Sequence, residues 1–478
     1  MSTLGFGCFS STNGVTSAGT LSELLAIGAA DAHLTSDPSV TYWRLRVEKC
    51  TNFAMESIQQ NFTGSVAFGQ EAQITLNRTG DLIYWMYVVF QIPAIAAKTC
   101  PSGQSFCRSD FPVSSTCNPC GDDPDKDDCT LEEDEVEDEF LDEDCSGLKK
   151  PYANWVDEIG FAAIARVAFS IGGQVIDSLY SHYMHMWEEL SGQPGKRLGE
   201  MIGKRYTRVQ LVEDSRRERT LYVPLPFYFT RHSGNALPLV SLQFHSLQVH
   251  VTFAPLRSLI QVSDVDVQVV KCRGGAPIGN NDLAACLDST YVYLDIDERD
   301  RFAIGQFMQL ITQVQYHTSR SQNGKLSTQL NFNHPTLELI WAVQRKCQGD
   351  TNNTFDYWGK HGRDPIHRAC LKINNLPRFD REAAYFRLVQ PYQAHTNIPH
   401  GAIYCYSFAL EPESCQPSGS LNFSRIDNTE FSLDMAEDLD VSLIVFARNV
   451  NVLRFKEGLG GLLFSNIIFS MDAAISWI

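Results

Sequence analysis

The run Ala165-Arg-Val-Ala-Phe-Ser-Ile-Gly-Gly-Gln-Val-Ile-Asp-Ser-Leu-Tyr180 decides the fold class. β-Branched and aromatic residues flank Gly172-Gly173 on both sides. A two-residue Gly-Gly between such runs is a hairpin turn, because both turn positions want positive φ and glycine adopts it without steric cost. Working outward, the same rhythm returns in Leu337, Leu339, Trp341 and Val343, in Tyr404, Tyr406, Phe408 and Leu410, and in Val441, Leu443, Val445 and Ala447. Side chains two apart share a sheet face, so each run predicts a strand with one buried and one less buried side. The longest apolar run, Leu82–Ala97, is interrupted by Gln91 and Pro93. It falls short of the ~18–20 residues that cross a bilayer, and its Ile, Tyr, Trp and Val predict a strand buried on both faces. Pro and Gly punctuate the rest, as at Pro224, Pro226, Gly234, Pro335 and Gly401. Helix is predicted only over Ser181–Leu190 and, for a turn or two, Gly195–Gly203. Many strands with little helix give an all-β chain of sandwich or jelly-roll domains.

With 478 residues, 44% of them hydrophobic, there is ample material for a buried core and for two such domains. The net charge of −17 is concentrated: residues 122–144 hold fifteen Asp or Glu against Lys126 alone. The remainder is nearly neutral. A nucleic-acid partner would need Lys and Arg to neutralise its phosphates, and the basic clusters Lys204-Arg205 and Arg216-Arg217 with Arg219 are short and mixed with acids. No nucleic-acid contact is therefore expected. Met1–Ala30 is Gly/Ser/Thr-rich and lacks the basic-then-apolar pattern of a secretory signal. Residues 98–150 break the β rhythm with Cys, Pro, Gly and acids, which predicts an exposed insertion. The charged stretch Asp297–Arg301 is the expected link between domains. No exact internal repeat is visible.

Catalytic signatures are missing. Gly195-Lys196, Gly203-Lys204, Gly324-Lys325 and Gly359-Lys360 are never followed by Ser or Thr, so there is no phosphate-binding loop of that type. No H-e-x-x-H pair or G-x-S-x-G elbow occurs. No two His are two apart, as a metal site on a jelly-roll strand would need. His182 and His185 share a helical face beside Trp187, but two ligands are too few for a metal, and they read as structural. No cofactor is expected. Cys100, Cys107, Cys117, Cys120, Cys129 and Cys145 crowd the acidic insertion. Disulfides, free thiols and a metal site all stay open there. Cys117 and Cys120 form one C-x-x-C without a second pair, and Asp123, Asp125 and Asp127 imitate a calcium loop that lacks its sixth-position Gly. Sequons stand at Asn61, Asn77, Asn352 and Asn422, and are expected to stay unmodified without a signal sequence.

Thr51-Asn-Phe-Ala-Met-Glu-Ser-Ile-Gln-Gln60, Gly64–Gly69, Gly80-Asp-Leu-Ile83, Ile171-Gly-Gly-Gln-Val-Ile-Asp177, Tyr222–Phe227, Ala236–Leu239 and Leu242-Gln-Phe-His245 follow one another in order. Then come Tyr293–Arg299 with Arg301-Phe-Ala303, Asn331–Pro335, Val389–Gln393, Tyr406–Pro412, Gln416–Gly419, Asn422–Asn428, Asn451–Arg454 and Gly458–Leu462. This series, over nearly the whole chain, resembles the major capsid proteins of nucleocytoplasmic large DNA viruses, of chlorovirus, iridovirus and marseillevirus type. The resemblance implies two tandem eight-stranded jelly rolls. The implied divisions are an N-terminal arm 1–37, a first roll 38–296 carrying the insertion 98–150, a linker 297–308, a second roll 309–466 and a tail 467–478. It implies a homotrimer of pseudo-hexagonal outline, made in the host cytoplasm, whose copies tile an icosahedral virion shell. Neighbouring capsomers, minor capsid proteins and an internal membrane are the implied partners. The insertion is longer than that pattern expects, and the tail Ile467–Ile478 extends past its usual end. Two rivals stand beside this reading: a metal or sugar enzyme on a sandwich, and a single-roll vertex protein.

Overall fold

The computed structural model describes residues 16–39, 42, 49–99, 151–196, 198–263, 267–273, 275–321, 325–346, 351–436 and 440–464. Cys100, Cys107, Cys117, Cys120, Cys129, Cys145, the acidic run and the tail 467–478 lie outside them. Met1–Asn52 is a unit by itself. Its described part holds helices α1 (Thr16–Leu25) and α2 (Ala29–Thr35), with Leu21, Leu24, Leu25 and Leu34 exposed. The Asp31 carboxylate accepts from the Gly28 N–H at 2.9 Å and caps α2.

The second unit starts at Phe53 and contains both sandwiches. Among the described residues eight main strands, with shorter ones beside them, form the first: β1 (Phe53–Asn61), β2 (Glu71–Thr75), β3 (Leu82–Ile92), β4 (Ile164–Ile171), β5 (Gln174–Tyr180), β6 (Arg219–Pro224), β7 (Leu247–Phe253) and β8 (Ala284–Leu294). They pair in the orders β1-β8-β3-β6 and β2-β7-β4-β5. The second sandwich has β9 (Phe307–Ser321), β10 (Lys325–Gln329), β11 (Pro335–Arg345), β12 (Ile366–Ile373), β13 (Leu376–Glu382), β14 (Ile403–Ser407), β15 (Thr429–Met435) and β16 (Val441–Lys456). Its orders are β9-β16-β11-β14 and β10-β15-β12-β13. Each strand of the second roll takes the place of the strand eight earlier. This is the jelly-roll connection made twice, a repeat of topology that leaves no exact repeat in sequence.

The hairpin expected at Gly172-Gly173 is β4–β5. Ile171 faces Gln174, and Gly172 and Gly173 turn the chain with φ of 57° and 85°. Both positive values match the tight hairpin turn whose twist suits the flanking strands. Within each roll aromatic side chains join the two sheets. Trp341 on β11 meets Phe431 on β15 edge-on at 5.3 Å, and Phe253 on β7 meets Phe62, just past β1, at 6.4 Å.

Helix α3 (Ser181–Ser191) directly follows β5 and buries Tyr183, Met184, Met186, Trp187 and Leu190. Helix α4 (Arg208–Ser215), capped by the Thr207 hydroxyl, precedes β6 and was not apparent from the sequence. The expected linker is helix α5 (Ile296–Ile304), and the second roll's first strand begins at Phe307. Asp295 caps α5, acids Asp297 and Glu298 occupy its first turn and Arg301 its last, the charge order that a helix dipole favours. Among the described residues no helix is long and apolar enough to cross a membrane.

Two burial expectations need correction. The runs at Leu337–Val343 and Val441–Ala447 alternate in sequence, yet β11 and β16 are buried on both faces there. The first roll covers the side that alternation left less buried. Conversely β3 is buried on both faces only at Val88–Phe90, while Trp85 and Gln91 are exposed. Its sheet has an open outer face. The Tyr404 run ends as strand at Ser407, and Leu410 beyond it is exposed.

Candidate functional site: the seam between the rolls

Several sequence blocks that are far apart in the chain meet where the two rolls touch. Asp177, which closes Ile171–Asp177, accepts from the Val314 N–H of β9 at 3.0 Å, and Gln313 donates to the Ile176 carbonyl. Leu242–His245 lies on Gly458–Leu462: the Phe244 N–H donates to the Gly458 carbonyl at 3.1 Å, and His245 Nδ1 stands 2.9 Å from the Gly460 carbonyl. Gly458 has a φ of 78°, and a Cβ there would meet the Phe244 ring at 2.6 Å. Only glycine satisfies both conditions. Asp81 clasps the entry to the linker helix, accepting from the Leu294 N–H at 2.9 Å and pairing with Arg299 at 3.1 Å. Ser241 donates to the Phe302 carbonyl at 2.6 Å.

Aromatic packing fills the middle of this seam. Tyr180 stacks on Tyr316 at 4.8 Å, and Tyr183 meets Phe446 edge-on at 5.5 Å. The Trp187 indole sits between two guanidiniums, Arg231 of the first roll at 4.2 Å and Arg448 of the second at 4.3 Å. Cations over an indole face are attracted by its quadrupole, more so when desolvated.

Arg448 also pairs with Glu338 on the neighbouring strand at 2.9 Å, and His395 holds the other Glu338 oxygen at 2.9 Å. The second His395 nitrogen reaches Glu413 at 2.9 Å. Burial pushes the Glu338 carboxyl up, but Arg448 and His395 overcome this and hold it at about 2. Burial pulls His395 down, and Glu338 with its other partners raises it to about 12. The cluster is therefore charged throughout, and each charge is answered. A second cluster lies on the first-roll side. Glu158 pairs with His185 at 2.7 Å and with Lys204 at 2.7 Å, and Lys204 also reaches Glu189. Phe355 of the second roll stacks on His185 at 4.5 Å, and His400 donates its N–H to Glu189 at 3.1 Å.

His182 and His185 do share a helix, but they do not converge on one point. His182 Nδ1 lies 2.8 Å from the Tyr357 hydroxyl, and burial lowers its pKa to about 4. Among the described residues no group of three or more His, Cys, Asp or Glu could hold a metal. Of the sequons, Asn61, Asn77 and Asn422 are exposed. Asn352 is buried, with its amide nitrogen donating to the Arg257 and Ile260 carbonyls at 2.7 and 2.8 Å. Sequence reasoning missed Glu338, Arg448 and His395. A usable signal existed: Glu338 and Arg448 are lone opposite charges inside two strongly apolar runs, on strands that a jelly roll places side by side.

Comparison with known proteins agrees with this architecture. A family model described as "Large eukaryotic DNA virus major capsid protein" matches residues 298–461, and one described as "Major capsid protein N-terminus" matches 41–117 and 138–295. The major capsid protein of Pyramimonas orientalis virus is 32% identical, across 94% of this chain and all of that one. That of Paramecium bursaria Chlorella virus 1 is 30% identical with the same coverage. Among solved structures, a chain of the PBCV-1 virus capsid is 26% identical with a TM-score of 0.65, covering 89% of this chain and 100% of that chain. The Faustovirus major capsid protein has the same fold, with a TM-score of 0.66 at 12% identity and coverage of 91% and 96%. The chain belongs to the major capsid proteins of large eukaryotic DNA viruses.

Proposed function

We propose that the chain is purely architectural: it homotrimerises into pseudo-hexagonal capsomers that tile the icosahedral shell of a large double-stranded DNA virus, with no catalysis of its own. The observation that carries this reading is the strand order made twice and joined by a charged, aromatic seam. Two similar sandwiches held as one piece give three copies six near-equivalent corners, so six-fold packing follows from three-fold symmetry. Neighbouring capsomers are the first partners. Minor capsid proteins and an internal membrane lie beneath, and nucleic acid is not contacted. Synthesis and assembly take place in the host cytoplasm.

The fifteen acids of residues 122–144 give each copy a concentrated negative charge that repels like particles. Native mass spectrometry of the purified full-length chain at neutral pH tests the reading. Three copies per particle are expected. A stable monomer, or a five-membered ring of the kind a vertex protein makes, would overturn it.

A further inference from the structure

In the second roll the outer face of β9-β16-β11-β14 carries Ile340, Ile444, Phe446 and Arg448, all buried. Cover comes from the end of β5 and from α3, the helix that directly follows it, through Tyr180, Tyr183 and Trp187. In the first roll the corresponding outer face of β1-β8-β3-β6 carries Phe53, Met55, Trp85 and Tyr222. Met55 is 58% exposed and Trp85 40%. Tyr222 and Phe53 are exposed as well. Large apolar side chains grouped on one sheet face mark a contact surface rather than scattered surface residues.

The second roll also has a helical segment directly after β13, residues 383–394, whose turn over Tyr385–Val389 is widened to π geometry ahead of Pro391. It occupies the place that α3 holds in the first roll. Leu388 and Val389 precede Tyr392 on it by four and three residues, and all three are exposed, Tyr392 to 78%. Among the described residues, one sheet face thus has no helix over it, and one helix has an apolar side with no sheet face against it. They are the counterparts of the two surfaces that already meet inside the chain. Exposed Arg381 and Glu382 lead into the segment, and Asp288 stands on the open sheet face beside Ser57, so each apolar surface is edged by polar groups.

We propose that segment 383–394 of one copy seats on the open first-roll face of the next, with Leu388, Val389 and Tyr392 against Met55, Trp85 and Tyr222. This joint repeats between chains the one that α3 makes within a chain. It rests on the trimer reading and names the surfaces that build it. The contact runs head to tail, and it closes with three copies when each roll-to-roll step is about 60°.

Two exposed substitutions test it by native mass measurement of full-length chains. Met55→Asp spoils only the sheet face, and Tyr392→Asp spoils only the helix. Each variant alone is expected to lose the trimer, with association at least tenfold weaker. Mixed in equal amounts they should form a 1:1 pair, because one intact helix still meets one intact face and the other joint is dead. Variants that remain trimeric, as they would if another segment or partner occupied these surfaces, overturn the proposal. So does a mixture that stays monomeric. An unaltered chain that does not trimerise overturns the trimer reading itself, while trimeric variants beside a trimeric parent overturn only the assignment of the joint.

Discussion

The second roll holds Glu338, Arg448 and Phe446 on its outer sheet face with no access to water, whereas the first roll holds Met55, Trp85 and Tyr222 on the equivalent face in the open. Strand order is the same in both. What differs is the neighbour: α3 lies over one face and nothing described lies over the other. A buried face can carry charge only if each charge is matched, so the second roll's is organised around an ion network. The open face carries large apolar side chains instead. The same topology thus yields a buried joint inside the chain and an exposed apolar face on its partner roll.

The sharpest way to break this comparison is to remove one member of the buried network. Glu338→Ala leaves Arg448 without its counter-charge, and His395 with Glu413 alone, in a dry site, and should cost about 3–5 kcal/mol in chemical unfolding. Asp288→Ala on the open face of the isolated chain should cost less than about 0.5 kcal/mol. Equal losses would mean that the two faces are not different in kind.

Trp187→Ala comes next. It removes a buried indole that both rolls grip, through Arg231 and Arg448, at a cost of about 3–4 kcal/mol. Calorimetry should then resolve two transitions where the parent shows one, since the rolls lose their shared anchor. A single unchanged transition would show that the seam is held elsewhere.

Asp177 sharpens the comparison through pH. Burial raises its carboxyl to about 6, against the Val314 and Ser178 N–H groups that stabilise the anion. Its folded value stands above the ordinary 3.8, so its contribution is fully present below that pH and is lost as pH rises through about 6. Asp177→Asn stays neutral, and should gain on the parent by about 1–3 kcal/mol between roughly pH 4 and pH 6, then hold that gain. A stability difference that does not change over this range would remove Asp177 as a titrating part of the seam. A smaller loss within the seam is expected at Gly458→Ala, about 1–2 kcal/mol, from a left-handed backbone and the Phe244 ring. A change near zero would show that the loop can shift away from Phe244.

Much of the architecture was legible in the residues. Gly172-Gly173 fixed a hairpin, and the ordered blocks from Thr51 to Leu462 pointed to two rolls. The seam was legible only in fragments. Leu242–His245 and Gly458–Leu462 could be seen as separate blocks, but nothing local says that Phe244 lies on Gly458. Period-two patterning describes one sheet and its own partner layer. It could not report that α3 covers the far side of β11 and β16, so it assigned Glu338 and Arg448 to a wetter face than they occupy. Charge marks Asp297–Arg301 as a link between domains, and Asp295 before it with acids in its first turn are helix signals as well.

The central claim is that two sandwiches per chain make a three-fold particle imitate a hexagon. A cryo-electron microscopy map of the purified oligomer, resolved well enough to separate sandwiches, tests it most directly. Six β-sandwich lobes are expected around one three-fold axis, at nearly equal spacing, with segment 383–394 at alternate joints and α3 at the others. Three lobes, or six that are grossly uneven with solvent between neighbouring chains, would contradict the account.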